Sequence, residues 1–304
     1  MVKEFAPVAL FAYKRLDTLK VTIDSLRSNF LAKETDLYIF SDGSKGSNDF
    51  SAIIEIRNYL KTIEGFKSVR IIESVQNKGL ADSIISGVSH ILSFNDSVIV
   101  LEDDLITSKN FLNFMNDSLK FYAKNPKIFS ITGCTSPIIN NTPSDVYFTM
   151  RSRSTGWATW SDRWIRIDWT IEQFKIDRNR ISFRLGFNKM GSDMFNLLNR
   201  QYKGESDSWA IRWCYHQYSY ELYSVHPTVS KVENIGFGEG ASNTVEKHNR
   251  FWTILDKENK INFIFPTEPS LDKFVTRQFT KVFSIRYRVY YKVLNLFHIV
   301  FGKR

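Results

Sequence analysis

Four times in the first 122 residues, a short apolar, β-branched run gives way to apolar residues at helical spacing, and this alternation narrows the fold more than any other feature. Residues 8–13 read as a first strand, and Leu16, Leu19, Ile23 and Leu26 mark the helix after it. Residues 37–40 read as a second strand, followed by Ile53, Ile56, Leu60 and Ile63. Residues 69–72 read as a third, ahead of a helical stretch over residues 80–92. A fourth strand begins at Ser97 and stops on Glu102, Asp103 and Asp104, with residues 111–122 as its helix. Strand alternating with helix in this way predicts an α/β fold, a parallel sheet covered on both faces with its functional loops at one edge.

Arg15, Asp42, Asn77 and Asp104 all fall just beyond strand ends, so they can converge although they lie far apart in the chain. Open α/β sheets bind ligands outside the C-terminal ends of their strands. Three adjacent carboxylates there are tolerable mainly if a cation meets them, which makes Glu102-Asp103-Asp104 a candidate metal site. The plain alternative is a solvated acidic turn. Asp42-Gly43 and Asn77-Lys78-Gly79 are likewise ordinary turn sequences, because Asn, Asp and Gly tolerate positive φ.

Taken together, the stretch from Tyr13 to Thr18, Ser41-Asp42-Gly43, Asn77-Lys78-Gly79 and Glu102-Asp103-Asp104 resemble the motifs of GT-A glycosyltransferases. The Glu-Asp-Asp form of the Asp-x-Asp motif is similar to the N-acetylglucosaminyltransferase I family. The likeness continues in Thr155-Gly156-Trp157, Asp207-Ser208-Trp209, Ser230-Lys231-Val232 and the Gly-rich stretch around Glu239, covering roughly residues 6–245. The resemblance implies a GT-A unit with a nucleotide-sugar donor. Asp42 and Arg15 would contact the base end, Asn77 would lie close by, Asp103 would orient the ribose or donor sugar, and Asp104 would hold Mn²⁺ or Mg²⁺ at the two phosphates. A hard cation with oxygen ligands suits a diphosphate leaving group. It also implies Asp207 as the general base of an inverting transfer, with Glu205 as its nearby rival and Asp162 and Asp168 as further candidates. Glu239 would line the acceptor or donor pocket.

The second half of the chain replaces this rhythm with aromatic residues and arginines. Arg151, Arg153, Arg163 and Arg166 are interleaved with Trp157, Trp160, Trp164 and Trp169. Ring faces beside guanidinium groups suit a sugar and its anionic leaving group, which makes Trp157 a candidate donor contact. The same pattern also describes a nucleic-acid stacking surface or a simple aromatic core.

Charge placement separates these readings. The chain has 41 Lys and Arg against 32 Asp and Glu, a formal +9, yet eight of the basic residues and none of the acids fall in residues 273–304. The rest is close to neutral, which argues against nucleic acid as a partner. On a helical wheel Arg277, Lys281, Arg288 and Lys292 share one side of this tail, and Phe279, Val282, Phe283, Tyr290, Val293, Leu294, Phe297 and Val300 fill the other, with Arg286 as the exception. A basic amphipathic helix of this kind fits an anionic membrane surface; a terminal helix docked on the body is the alternative. Its charges interrupt the apolar sequence too often for a spanning helix. The opening residues lack the apolar core of a signal peptide, which points to the cytoplasm, with the tail on the inner membrane face. Cys134 and Cys214 form neither a disulfide framework nor a metal-ligand spacing, so both are expected as small packed residues.

The expected organisation is one GT-A unit: a nucleotide-sugar-binding half over residues 1–133, an acceptor-binding half over residues 134–269 and a basic tail over residues 270–304. The expected activity is inverting, metal-dependent sugar transfer to a hydroxyl of a glycan acceptor, lipid-linked in the synthesis of a bacterial surface polysaccharide. A sugar-nucleotide nucleotidyltransferase is the enzymatic alternative, but it calls for a Gly-rich phosphate loop straight after the first strand, and residues 11–15 contain no glycine. A non-catalytic glycan- or lipid-binding module is the third reading.

Overall fold

The computed structural model describes residues 4–236 and 249–301. Among these residues the first half follows the alternation read from the sequence: β1 (Val8–Ala12), α1 (Leu16–Arg27), β2 (Asp36–Ser41), α2 (Phe50–Leu60), β3 (Ser68–Glu73), α3 (Gly79–Leu92), β4 (Ser97–Glu102), the short β5 (Leu105–Thr107) and α4 (Phe111–Tyr122). The second half adds β6 (Ile128–Thr132), β7 (Val146–Thr149), β8 (Trp157–Trp160), α5 (Ser161–Trp164), α6 (Phe174–Asp177), α7 (Ile181–Phe187), α8 (Met194–Tyr202), α9 (Trp209–Ser219), β9 (Tyr223–Pro227), β10 (Val232–Asn234), α10 (Lys273–Lys281) and α11 (Ile285–Phe301).

Eight strands form one mixed, mostly parallel sheet in the order β3-β2-β1-β4-β8-β6-β9-β7, and β5 pairs with β10 in a separate two-stranded ladder. β1 to β4 are parallel to one another, whereas β8 runs antiparallel between β4 and β6, and β7 antiparallel to β9. Alternation along β1 explains why a continuous apolar run was needed. Val8, Leu10 and Ala12 face the core beneath α1, α2 and α4, while Ala9 and Phe11 face the core beneath α3 and α9. Leu19, Ile23 and Leu26 of α1 and Ala81, Ile84, Val88 and Ile91 of α3 are the stripes that cover the two faces. The parallel register brings Ala12 opposite Ser41, Ser41 opposite Glu73 and Phe11 opposite Glu102, so the four strands end level with one another. Loops that are remote in sequence therefore open at one edge of the sheet.

The tryptophans of the Arg- and Trp-rich segment pack largely into the core. Trp157, Trp160 and Trp164 are buried, and the rings of Trp157, Trp164, Trp209 and Trp213 pack against one another at 4.8–6.0 Å. Arg163 donates to the carbonyls of Ile128, Tyr122, Ala123 and Asn125 and stacks 3.9 Å from the Trp160 ring, tying α5 to the end of α4. Cys134 and Cys214 are both buried free thiols, as expected.

The basic tail is helical, but in two pieces with different partners. α10 docks: Val275, Phe279, Val282 and Phe283 are buried against Tyr147. α11 turns the other way. Tyr287, Arg288, Tyr291 and Asn295 make up its covered side, with the Arg288 guanidinium donating to the Ser192 hydroxyl at 3.4 Å, while Ile285, Val289, Tyr290, Val293, Leu296 and Phe297 are exposed beside Arg286 and Lys292. The single wheel read from the sequence is thereby corrected, because a turn at residues 282–284 resets the helical phase. No helix among the described residues is long and apolar enough to cross a membrane.

Candidate active site

The loops at the level strand ends enclose a cleft of about 780 Å³ lined by Arg15, Asp42, Asn77, Asp103, Asp104 and Asp207. Six of the eight site residues named from the sequence thus share one cavity. Glu239 lies outside the described residues, and Trp157 does not line the cleft: its indole is 2% exposed and packed in the tryptophan core. Trp157 is therefore not carried forward as a donor contact. A ring on a β-strand that runs between two other strands, as β8 does between β4 and β6, belongs to the packing of the sheet face.

At the floor of the cleft, Arg15 bridges the acids. Its guanidinium donates to Asp104 Oδ2 at 2.6 Å and to Asp103 Oδ1 at 3.3 Å, and the Tyr13 N–H holds the other Asp103 oxygen at 3.0 Å. Burial works against the Arg15 charge, yet the hydrogen bond to Asp104 and the field of Asp103 hold its proton more tightly than in a free arginine. Glu102, pushed up to about 8, and Asp103, at about 6, are raised chiefly by burial; the Asp104 carboxylate adds to both, and Asp103 also adds to Glu102. One guanidinium leaves this strand end with an excess of negative charge. From above, the β5–β10 ladder delivers Asn234, whose amide lies 3.4 Å from Asp104 Oδ1. Gly236 is needed just beyond it, since a β-carbon there would sit 1.9 Å from Asp104 Oδ2.

The donor set suits a hard cation: carboxylate oxygens in excess, at the end of a buried strand, with Asp104 foremost. Among the described residues, no three His, Cys, Asp or Glu side chains form a closed metal site. That arrangement fits an ion bound through one or two carboxylates and completed by a ligand's own oxygens, the usual manner for Mg²⁺.

The other wall is built by Asp42, and its carboxylate is already engaged. It accepts from the N–H groups of Gly43, Lys78 and Gly79 at 2.8–3.2 Å and from the Asn77 amide at 3.1 Å. Asp42 thereby satisfies orphan donors at the N-terminus of α3 and pins the loop after β3 to the loop after β2. Asn77 closes the same link by donating to the Gly43 carbonyl at 2.9 Å. The two loops touch so closely that a β-carbon on Gly43 would lie 2.4 Å from the Gln76 carbonyl carbon. Beside them Tyr13 donates to Asp49 at 2.6 Å and Lys14 pairs with the same carboxylate at 2.9 Å.

Opposite these loops, Asp207 stands just before the N-cap residue of α9, Ser208, whose side chain accepts from the Ile211 N–H. Its carboxylate is held 2.9 Å from Arg212 and remains more than half exposed to the cleft. The rival acids lie elsewhere. Glu205 pairs with Arg200 and Lys203 at the surface, Asp162 with Arg163 and Arg166, and Asp168 caps the turn at Thr170 and Glu172. Among the four candidates for a base, Asp207 alone lines the cleft. Lys14, Lys45, Arg200 and Asn234 also line it and went unnamed in the sequence reading, since a cation on a surface loop or an Asn at a strand end carries no distinguishing pattern.

No family profile matches the chain, and no curated protein matches it by sequence. Among solved structures it is similar to the mannosyltransferase PcManGT from Pyrobaculum calidifontis, in complex with GDP-Man and Mn²⁺, at 11% identity and a TM-score of 0.35 over 52% of this chain and 46% of that one. It is also similar to S. aureus TarS, at 12% identity and a TM-score of 0.31 over 46% of this chain and 23% of that one. TarS 1–349 in complex with UDP-GlcNAc gives 10% identity and a TM-score of 0.30 over 46% and 37%. The chain spans less than half the length of each.

Proposed function

We propose that the chain is a metal-assisted, inverting glycosyltransferase that binds a nucleotide sugar, UDP-linked in our reading, in the 780 Å³ cleft and passes the sugar to a hydroxyl of a glycan acceptor. The observation that carries the proposal is the meeting of Arg15, Asp103 and Asp104 at the floor, and Asp42 and Asn77 on one wall, with an exposed carboxylate, Asp207, in the same cleft. In this reading Asp42 and Asn77 shape the base end rather than spending free lone pairs on it. Asp104, with Asp103 beside it, would hold Mn²⁺ or Mg²⁺, which when bound neutralises charge on the departing diphosphate. Arg15 keeps the two carboxylates together and supplies a fixed positive charge near the phosphates. Asp207 takes the proton from the acceptor hydroxyl, and a single base is enough because inversion needs no enzyme nucleophile.

A screen of nucleotide sugars, read as nucleotide release with and without Mn²⁺, tests the activity. Asp104→Ala is expected to lose both metal-dependent donor binding and transfer. Asp207→Asn is expected to bind donor normally and to turn over slower by roughly 10²–10⁴-fold. Unchanged turnover in Asp207→Asn removes that residue from the mechanism.

The same reading places the acceptor at a membrane. The outward side of α11 presents Ile285, Val289, Tyr290, Val293, Leu296 and Phe297 with Arg286 and Lys292, the composition of a helix lying in an anionic interface. Phe283, at the turn into α11, lines a chamber that adjoins the cleft, so a glycan anchored in that membrane by a lipid would be presented beside Asp207.

A further inference from the structure

A second chamber of about 260 Å³ opens off the cleft, and Ser154, Thr155, Ser208, Ala210 and Asn234 line both. The two cavities differ in charge. The cleft is walled by Asp42, Glu102, Asp103, Asp104 and Asp207, whereas among the described residues no carboxylate lines the chamber, which carries two guanidinium groups and several hydroxyls. Arg151 is balanced, since it binds both oxygens of Asp193 at 2.9 and 3.2 Å and stacks 3.6 Å from the Phe283 ring. Arg153 is not. It is half-buried, donates to the Ser136 hydroxyl at 3.3 Å and lies 5.6 Å from the Phe251 ring, and among the described residues it has no acidic partner.

A half-buried cation without a counter-charge is costly unless something anionic meets it. A second observation points to the same ligand chemistry. Beyond Arg153 the chamber continues into a small pocket lined also by Trp157 and Trp213, and the indole N–H groups of both rings are buried without an acceptor. Arg153 and the Ser152 and Ser154 hydroxyls make a donor-rich wall, with the two indole N–H groups behind it in a pocket of about 10 Å³, while Phe251, Ile211 and Leu197 supply apolar surface for a sugar face.

We infer that this chamber is the acceptor subsite and that Arg153 recognises an anionic group, a phosphate ester or a carboxylate, carried by the acceptor glycan. The inference rests on the transferase reading for the word acceptor; the anion preference of the chamber stands by itself. The test uses the full chain and two probes, glucose 1-phosphate and its neutral counterpart methyl glucoside, titrated calorimetrically with UDP present. Glucose 1-phosphate is expected to bind at least ~10-fold tighter than methyl glucoside, in keeping with the strength of charge-assisted hydrogen bonds. Arg153→Gln is expected to erase that preference while UDP affinity measured separately stays within about twofold, as hydrogen bonds at the two sites are independent. Thr253→Asp, which sets a carboxylate on the chamber's own wall without touching the cleft, is expected to do the same if Arg153→Gln folds poorly. Equal binding of the two probes, or a preference that survives both substitutions, overturns the subsite. Failure of UDP to bind at all would instead count against the donor cleft, and leaves the comparison of the two probes to be read independently.

Discussion

At the scale of single residues, the same side-chain type does different work at neighbouring strand ends, and hydrogen-bond partners decide which. Asp104 shares a guanidinium and faces an open cavity, while Asp42 is saturated by three backbone N–H groups and an amide. The first is available to a ligand, and the second holds the loops that shape the site. Asp42→Ala is therefore expected to cost stability as well as donor binding, by about 2–3 kcal/mol in urea unfolding, because it removes a cap and strands buried donors. Asp104→Ala should cost far less stability, since its partner Arg15 retains Asp103.

At the scale of elements, the two tail helices separate what a sequence wheel merges. α10 contributes Val275 and Phe279, and the turn after it Phe283, to a core cluster with Tyr147, whereas α11 leaves most of its apolar residues exposed. A chain ending after Ser284 should keep its fold and lose sedimentation with vesicles rich in anionic lipid. Sedimentation that persists would show that α11 is not the anchor. By contrast, Phe279→Ala in the full chain should lower stability by about 3–5 kcal/mol, the usual cost of emptying a fully buried phenylalanine site. The helices of the first half were legible to within about three residues from apolar spacing, because each buries one stripe on a sheet face; the largest offset is at α2, which begins at Phe50 and ends at Leu60, short of Ile63. The phase of the tail was not, since a break of three residues rotates every later side chain.

At the scale of the whole molecule, the sheet continues through β8, β6, β9 and β7, and His226 sits where this extension meets the tail. Fully buried between the Tyr147 and Phe279 rings, its imidazole contacts the Thr149 hydroxyl and the carbonyls of Cys134 and Arg151. Burial first, and the nearby Arg153 charge second, push its pKa down to about 3. A depressed histidine contributes stability that is complete above the unfolded value near 6.5 and is lost as pH falls toward 3. The stability difference between the wild type and His226→Gln should accordingly narrow by a few kcal/mol between pH 7 and pH 4, measured by urea unfolding at each pH. A difference independent of pH would show that the imidazole titrates normally.

By itself the sequence determined the order and type of the four strand–helix pairs β1 to α4, though not the short β5 between the last two, and the location of the acids at strand ends, because periodicity and strand termination are local properties written in adjacent residues. Tertiary structure decided what no local pattern records. It brought Asp207, and not Glu205, Asp162 or Asp168, to the cleft, sent Trp157 into the core, and among the described residues gave Arg151 a carboxylate partner and Arg153 none. Each of these depends on the sheet register and on loops from opposite ends of the chain meeting in space, and a carboxylate, an indole or a guanidinium takes its role from those neighbours.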